Sequence, residues 1–217
     1  MNGIIFIAPP AAGKGTQSNI LSSKYNIPHI STGDLIRASR NNGSNEYIKQ
    51  AQSGGLVDDD FVINLVYNEL KKSDCDNGYI LDGFPRNINQ AKELDDILKK
   101  LNKKLGYVFL LDINYELSRN RIVGRISCPE CGKVYNTLDS LSKPKIPNKC
   151  DICNTDLVRR QDDNEETFKN RYDVYLNETS PLIDFYQEKG LLHKIDASMS
   201  IEDISRKIIE VIDYDNN

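Results

Sequence analysis

The sequence predicts an α/β fold in which a parallel β-sheet is covered by helices on both sides. Short apolar runs alternate with longer segments of helical periodicity along most of the 217 residues, and this alternation is typical of such folds. The first run, "GIIFIA" (3–8), is continuously apolar, as expected of a strand that is buried on both faces. A chain of this length forms one well-buried core with small appendages rather than two full domains.

The predicted strands are short apolar runs bounded by turn residues, at 3–8, 27–30, 78–85, 106–113 and 191–196. The run at 78–85 is expected to lead into a Gly-Phe-Pro turn. The predicted helices have apolar residues at helical spacing, and several follow a polar N-cap candidate. The first helix begins near Gly13, and the second follows the cap candidate Ser31. The next three are predicted at 44–53, at 59–71 and at 87–102, the last with Asn87 as its cap. Three more follow: one that begins near Asn114, one long helix over 165–190, and one at 201–213. Residues 125–160 break this pattern, since they carry cysteines and three prolines without a strong period. We interpret them as an insertion.

The composition is that of an ordinary soluble protein, with 28% charged and 39% hydrophobic residues. The net charge of −4 argues against nucleic acid or an anionic membrane as the main partner, because both need a basic surface. No apolar run has the length of a membrane span, and the amino terminus lacks the cationic start of a signal peptide. We therefore expect a cytoplasmic protein without a membrane partner.

The stretch "IAPPAAGKGTQ" (7–17) resembles a phosphate-binding loop of the pattern GxxxxGK[ST], except that Ala8 replaces its first glycine. In such a loop the backbone N–H groups and the helix dipole favour an anion. Lys14 would reach terminal phosphates and the Thr16 hydroxyl would face Mg²⁺. The alternative is an alanine-rich helix start with a solvated lysine, and this segment alone leaves both open. If Ala8 or Ala11 requires a positive φ, alanine there costs about 1–2 kcal/mol.

Five further stretches of the sequence contain arginines or acidic residues. They are "STGDLIR" (31–37), "GGLVDDD" (54–60), "LDGFPRNINQA" (81–91), "RIVGR" (121–125) and "RRQDDNEETFKNR" (159–171). With the loop, and in this order and spacing, they make the chain resemble the adenylate kinases over nearly its whole length. Phosphoryl transfer between two nucleotides gathers negative charges in one cleft, which planar, permanently charged guanidinium groups stabilise. The attacking phosphate has a second pKa of about 6 and needs no histidine base, so we interpret His29 and His193 as structural.

The resemblance implies a P-loop kinase core with a parallel sheet flanked by helices, a helical AMP-binding insertion and a zinc-stapled lid insertion. The core would comprise residues 1–30, 61–123 and 164–217, the AMP-binding insertion 31–60, and the lid 124–163. The two insertions would close over AMP and ATP, which keeps water from the transferring group. The implied reaction is ATP + AMP ⇌ 2 ADP with Mg²⁺, so the partners are ATP, AMP and ADP. A monomer is the family expectation.

The resemblance also assigns roles to single residues. ATP would be held by Ala11, Ala12, Gly13, Lys14, Gly15, Thr16, Arg121, Arg125, Val134, Tyr135 and Met199. AMP would be held by Thr32, Arg37, Gly55, Leu56, Val57, Gly83, Phe84, Pro85, Arg86, Gln90, Arg160 and Arg171. The catalytic residues would be Lys14, Arg86, Arg125, Arg160 and Arg171. Gln90 would recognise the adenine edge and Asp82 would orient water on Mg²⁺, while Asp162 and Asp163 would pair with the arginines of the lid.

Two cysteine pairs, "CPEC" (128–131) and "CDIC" (150–153), are separated by 18 residues. In a reducing compartment this spacing is typical of a metal site with the four ligands Cys128, Cys131, Cys150 and Cys153. Four protein ligands leave no position for substrate, so the metal would be structural, and the ligand type favours Zn²⁺. Long-lid adenylate kinases, which this chain resembles, often carry such cysteines. Cys75 stands alone and receives no role.

Two other functions stay open at this point. One is a kinase for another nucleoside monophosphate. The other is a zinc-ribbon protein that binds nucleic acid on an inactive kinase scaffold, a reading supported only by the altered loop. Residues 125–160 carry seven Lys or Arg against four Asp or Glu, but Tyr135 is their single aromatic residue, and bases need stacking platforms. Because of Ala8 and Ala11, we expect retained activity with weakened ATP affinity.

Overall fold

A five-stranded parallel sheet organises the protein, which we describe from a computed structural model that covers residues 2–39, 45–53, 55–139 and 142–215. The sheet has the strand order β2-β3-β1-β4-β7, and a separate antiparallel pair is formed by β5 and β6. The strands are β1 (Gly3–Ile7), β2 (His29–Ser31), β3 (Ile80–Asp82), β4 (Leu105–Asp112), β5 (Arg125–Ser127), β6 (Val134–Asn136) and β7 (Leu192–Asp196).

Helices follow most strands and cover both faces of the sheet. They are α1 (Lys14–Tyr25), α2 (Thr32–Ala38), α3 (Asn45–Gln52), α4 (Asp59–Leu70), α5 (Ile88–Lys100), α6 (Tyr115–Val123), α7 (Glu165–Val174), α8 (Pro181–Glu188) and α9 (Ile201–Asp215). Of the helices in the described ranges, none is both long enough and apolar enough to cross a membrane.

Strand β1 divides the core because its five residues are all buried and alternate between two faces. Ile5 and Ile7 pack with residues of α4, α5 and α8 on one side. Ile4 and Phe6 pack with residues of α1 and α9 on the other. Each such side chain contributes about 1.5–3 kcal/mol when it is fully buried, so the apolar run that predicts the strand also forms the centre of both layers.

The strand order brings the carboxyl ends of β1 and β3 side by side. In the parallel register Phe6 pairs with Asp82, and Ser31 of β2 pairs with the same residue from the other side. In open α/β sheets, ligands bind outside the carboxyl ends of the strands, where neighbouring connections lead to opposite faces. The loop after β1 and the turn after β3 therefore meet at the edge where a ligand is expected.

The structure confirms the predicted α/β class and the existence of the five sheet strands. The predicted N-caps Ser31 and Asn87 are confirmed, because each side chain accepts a backbone N–H from the first turn of the following helix. Asn114, predicted only as the start of a helix, caps its helix in the same way. Such a cap contributes about 1 kcal/mol. The polar residues before the apolar periods thus fix where these helices begin.

The strand predicted within 78–85 is β3, and the turn that was expected to follow it begins at Gly83, which has a φ of 81°. Two elements differ from the prediction. The single helix predicted over 165–190 is interrupted by a π-helical turn at Tyr175–Thr179 and restarts at Pro181, which has no N–H to continue the earlier hydrogen-bond ladder. The insertion contains the β5–β6 pair, whose strands are too short to produce a visible period.

Cys75 lies in a 3₁₀ turn (Ser73–Asn77) and is only 2% exposed. Burial, together with the nearby Asp74 carboxylate, raises the pKa of Cys75 to about 12. Only the thiolate is an effective nucleophile.

We therefore predict that iodoacetamide at pH 8 leaves Cys75 unmodified in the folded protein and modifies it in urea, as measured by peptide mass spectrometry. Rapid alkylation of the folded protein at Cys75 would contradict the buried position.

Candidate active site

The loop between β1 and α1 wraps around its own lysine. Lys14 Nζ donates hydrogen bonds to the carbonyl oxygens of Ala8, at 3.2 Å, and Pro9, at 3.5 Å. Gly13 precedes the helix with a φ of 99°, and no described side chain caps the first turn of α1. The N–H groups of that turn therefore have no side-chain acceptor, which is the arrangement that binds an anion at a helix N-terminus.

Lys14 lies half-buried at the point where several charged side chains converge. Burial lowers the pKa of Lys14 to about 8, against the opposing effect of the Asp82 carboxylate. The cations that lower it further are Arg86, Arg171 and Arg125. In salt solution charges act on each other only within about 10 Å. The side chains that shift the pKa of Lys14 therefore lie close to it, although they come from other segments of the sequence. We call the place where they meet the cleft.

Asp82 ends β3 directly beside this loop. A Cβ atom added to Gly15 would lie 3.4 Å from Asp82 Oδ2, so the carboxylate faces the start of α1. Burial would raise the pKa of Asp82, but a hydrogen bond from His29 and the charge of Lys14 hold it below its usual value. The carboxylate thus stays ionised and faces the phosphate loop.

His29 contacts this carboxylate, a contact that the sequence analysis missed. His29 Nε2 lies 3.2 Å from Asp82 Oδ2, and His29 Nδ1 lies 2.9 Å from Asn19 Oδ1. His29 belongs to β2, as predicted, and the parallel register carries it towards the end of β3. Only the pairing of β2 with β3, which no sequence motif encodes, brings the imidazole to the site.

The turn after β3 holds Arg86. The Gly83 carbonyl accepts hydrogen bonds from Thr32 Oγ1 at 3.0 Å and from Arg86 Nε at 2.9 Å. A Cβ atom on Gly83 would lie 2.8 Å from Thr32 Oγ1, so this close approach and the positive φ both require glycine. Surrounding protein lowers the pKa of Arg86, although the side chain is solvent-exposed, as expected of a group that lines a cleft.

Two arginines of the site pair with two adjacent aspartates, and the charge of a third acts on the same group. Arg125 forms a bidentate pair with Asp163, in which Nε donates to Oδ2 at 2.8 Å, and the Asp163 side chain is fully buried. Arg171 pairs with Asp162. Burial, with the nearby charge of Arg125, lowers the pKa of Arg160. The expected pairing of Asp163 with an arginine of the 124–163 segment is therefore found, whereas Asp162 pairs with Arg171 on α7.

Among the residues assigned to the AMP side, Thr32 and Gln90 contact the turn after β3. Thr32, Phe84, Pro85, Gln90 and Val57 are buried, whereas Gly55 and Leu56 are half-buried. Arg37 pairs with Asp34 of its own helix, and the charges of Arg37 and Arg160 act on each other. Every residue assigned to AMP is among those that the structure describes. Residues 40–44 and Gly54, which belong to the 31–60 segment, lie outside the described residues.

On the ATP side, Arg121 Nη1 donates to the Ala197 carbonyl at 2.9 Å, which links α6 to the loop after β7. Met199 of that loop lies half-buried at the rim of the core. Val134 is 44% exposed, whereas Tyr135 is 3% exposed and packs inside the insertion. Any contact of Tyr135 with a nucleotide would therefore involve its backbone and not its ring.

The four paired cysteines form one cluster in the insertion. Their sulfur atoms all lie within 4.8 Å of one another, and Cys131 Sγ lies 3.6 Å from Cys150 Sγ. Ligands of a tetrahedral Zn²⁺ at about 2.3 Å lie about 3.8 Å apart, so the sulfurs suit such an ion. Hydrogen bonds from the Cys153 backbone N–H and from the Tyr135 hydroxyl lower the pKa of Cys150, whereas a hydrogen bond with Cys131 and burial raise the pKa of Cys153. Of these two thiols, Cys150 is therefore the one in which the metal-binding thiolate is favoured.

The two alanines of the loop are not equivalent. Ala11 has a φ of 56°, whereas the φ of Ala8 is not positive. Ala8 is buried in the core beside Ala12. A left-handed alanine costs about 1–2 kcal/mol, which the larger unfolded-state entropy of glycine partly offsets. Of the two alanines, Ala11 therefore meets the condition for strain and Ala8 does not.

We predict that Ala11→Gly raises the free energy of unfolding by about 0.5–1 kcal/mol. The matched control Ala8→Gly should lower it by about 1 kcal/mol, because a buried methyl group is lost without relief of strain. Urea unfolding of both variants measures the difference. Equal effects of the two substitutions would show that the φ of Ala11 is not strained.

Comparison with known proteins agrees with this site. A family model described as adenylate kinase matches residues 6–191. A protein of Nitrosococcus oceani named adenylate kinase is 44% identical over 214 residues, covering 96% of this chain and 97% of that protein. A protein of the same name from Clostridium botulinum strain Loch Maree is 40% identical over 215 residues, with 98% and 99% covered. Because the family model and both relatives match nearly the whole chain, this chain belongs to the adenylate kinase family.

Proposed function

We propose that the protein transfers a phosphoryl group reversibly between ATP and AMP, with ADP as the product of the forward reaction. The observation that carries the proposal is the convergence of Lys14, Arg86, Arg125 and Arg171 at the carboxyl edge of the sheet. Phosphoryl transfer requires little covalent chemistry from the protein and depends on positioning and charge stabilisation. A cleft that gathers permanent cations, beside a helix N-terminus that suits an anion, supplies both.

Each cation has a separate position in this proposal. Lys14 and the loop residues Ala11 to Thr16 hold the phosphates of ATP, and Arg37 and Arg86 hold the phosphate of AMP. Arg125, Arg160 and Arg171 surround the group that moves, where preorganised N–H donors stabilise charge that is spread over its equatorial oxygens. The attacking AMP oxygen is already anionic at neutral pH because the second phosphate pKa is about 6.

The residues present also suit Mg²⁺. Asp82 is ionised, faces the start of α1 and accepts a hydrogen bond from His29, so it can orient waters on the ion, and the Thr16 hydroxyl lies on the first turn of that helix. The ion would supply positive charge that offsets part of the charge on the phosphates of ATP. Asp82 is therefore assigned to the ion and not to proton transfer.

We propose that residues 31–60 and 124–163 close over the two nucleotides, while the rest of the chain forms a fixed core. The second segment is attached near its start, where Thr137 N donates to the Gly124 carbonyl at 2.7 Å. Asn136 Nδ2 donates to carbonyls at the end of α6. These contacts would hold the base of the insertion while its remainder moves, and closure would exclude water from the reaction.

We also propose that the cysteine cluster binds Zn²⁺ and holds the insertion together. The small cluster that accompanies the cysteines contains Ile126, Tyr135 and Leu157, which is too few apolar residues to stabilise a separate unit. A tetrahedral ion with four thiolates has no free position, so the metal stabilises the fold and takes no part in the reaction.

A role as a nucleic-acid-binding zinc ribbon is less well supported. The insertion has Tyr135 as its single aromatic residue, and its ring is buried against the cysteine cluster. Base stacking needs an exposed aromatic face.

The proposed reaction is tested directly by a coupled assay of ADP formation from ATP and AMP with Mg²⁺, and absence of ADP formation would contradict it.

We predict that Arg86→Lys lowers kcat/KM for AMP by about 10²–10³-fold, because lysine cannot reproduce a planar pair of N–H donors. The KM for ATP should change much less. Steady-state kinetics with each substrate varied in turn measure both values. The matched control is Arg206→Lys, which changes an exposed arginine paired with Asp203 on α9 and should leave all constants unchanged. Similar losses in both variants would remove Arg86 from the site.

We predict that the purified protein contains about one zinc per chain and that Cys153→Ser removes it, since structural zinc needs its full ligand set. The melting temperature should fall by more than about 5 °C, because metal binding contributes directly to folding. Metal analysis and calorimetry measure these changes. The control Cys75→Ala, outside the cluster, should retain the metal. A zinc content that is equal in both variants would contradict the four-cysteine site.

A further inference from the structure

An amide network around Asp59 surrounds the residue assigned to recognition of adenine. Asp59, the first residue of α4, accepts a hydrogen bond from Gln90 Nε2 at 2.7 Å and from Asn89 Nδ2 at 2.9 Å. Asn87 Nδ2 also lies 3.1 and 3.2 Å from its two carboxylate oxygens. The carboxylate at a helix N-terminus is further stabilised by the helix dipole. Asp59 is therefore a fixed acceptor that several side chains hold in place.

Gln90 is held at both ends of its amide. Its Oε1 accepts the backbone N–H of Arg86 at 2.8 Å, while its Nε2 donates to Asp59 Oδ1. An ionised carboxylate only accepts hydrogen bonds and a backbone N–H only donates them. Rotating the amide by 180° would place oxygen against the carboxylate and NH₂ against the Arg86 N–H, so both contacts would become repulsive. The orientation follows from the chemistry of the two neighbours.

One donor and one acceptor of the Gln90 amide are left over in this orientation. An amide has two N–H donors and two oxygen lone pairs, and Asp59 and Arg86 use one of each. The remaining pair matches adenine, which presents an N6 amino donor beside the N1 acceptor. Hypoxanthine and guanine present the reverse order, an O6 acceptor beside an N1–H donor. A flipped amide would suit them, and the network prevents the flip.

We propose that Asp59 is a specificity-determining residue, which fixes the orientation of the Gln90 amide and thereby selects adenine over 6-oxopurine monophosphates. The inference rests on the proposed function and extends it to the choice of base. Asp59 acts through Gln90 and is a positioning residue, not a catalytic one. Asn87 and Asn89 keep the carboxylate in place, and Asn87 also caps α5, the helix that carries Gln90.

The test compares AMP with IMP, because inosine differs from adenosine at the base positions 6 and 1 alone. In Asp59→Asn the new amide can present either NH₂ or oxygen to Gln90, so the flipped orientation loses its main penalty. We expect the ratio of kcat/KM for IMP to that for AMP to rise about tenfold or more, with the KM for ATP little changed. The control Asp60→Asn removes the same charge from the neighbouring exposed position and should keep the wild-type ratio.

The proposal is overturned if the IMP-to-AMP ratio of Asp59→Asn stays within about twofold of the ratio of Asp60→Asn. The expected tenfold change corresponds to about 1.36 kcal/mol. The wild-type protein separates the two hypotheses: no ADP formation with AMP defeats the proposed reaction, whereas activity with an unchanged ratio defeats the role of Asp59 alone.

If Asp59→Asn does not fold, the ¹⁵N-labelled wild-type protein with ¹⁵N-labelled AMP provides a second measurement. We expect an NMR scalar coupling across a hydrogen bond from Gln90 Nε2 to adenine N1. Bound AMP without this coupling contradicts the fixed orientation.

Discussion

The structure depends on the concentration of positive charge in one cleft. A lysine and several arginines would repel each other there if no anion were nearby, and burial adds to the cost of every charge. Three carboxylates offset this in the protein alone: Asp82 faces Lys14, Asp162 pairs with Arg171, and Asp163 pairs with Arg125. The cations are therefore held ready for phosphate without a ligand, and preorganisation of this kind avoids the cost of rearrangement during the reaction.

The fold brings these charges together by strand order. The loop after β1 and the turn after β3 lie far apart in sequence, but their strands are neighbours in the sheet. Buried apolar residues on both faces fix that arrangement. Hydrogen bonds at the carboxyl edge then determine the positions of single groups, as where the Gly83 carbonyl holds both Thr32 and Arg86. Apolar burial thus positions the strands, and polar contacts position the side chains.

Much of this could be predicted from the sequence, because local signals carry it. The apolar run of β1 and the caps at Ser31 and Asn87 depend on neighbouring residues and were predicted correctly. The spacing of the cysteines likewise indicated that their four sulfurs lie together, and the identity of their metal stays a proposal. The contacts of His29 with Asp82 and of Asp59 with Gln90 could not be predicted, since they depend on which strands and helices become neighbours. The interruption at Tyr175–Thr179 was missed because apolar spacing does not distinguish a continuous helix from two helices in line.

The cysteine cluster has one further consequence. Cys128 and Cys150 are buried, whereas Cys131 is exposed and Cys153 is partly accessible. A site that is open on one side allows incoming thiols or chelators to attack a bound ion one ligand at a time, so exchange does not require global unfolding. If the cluster holds zinc as proposed, the rigidity of this segment depends on an ion whose ligands are accessible from one side.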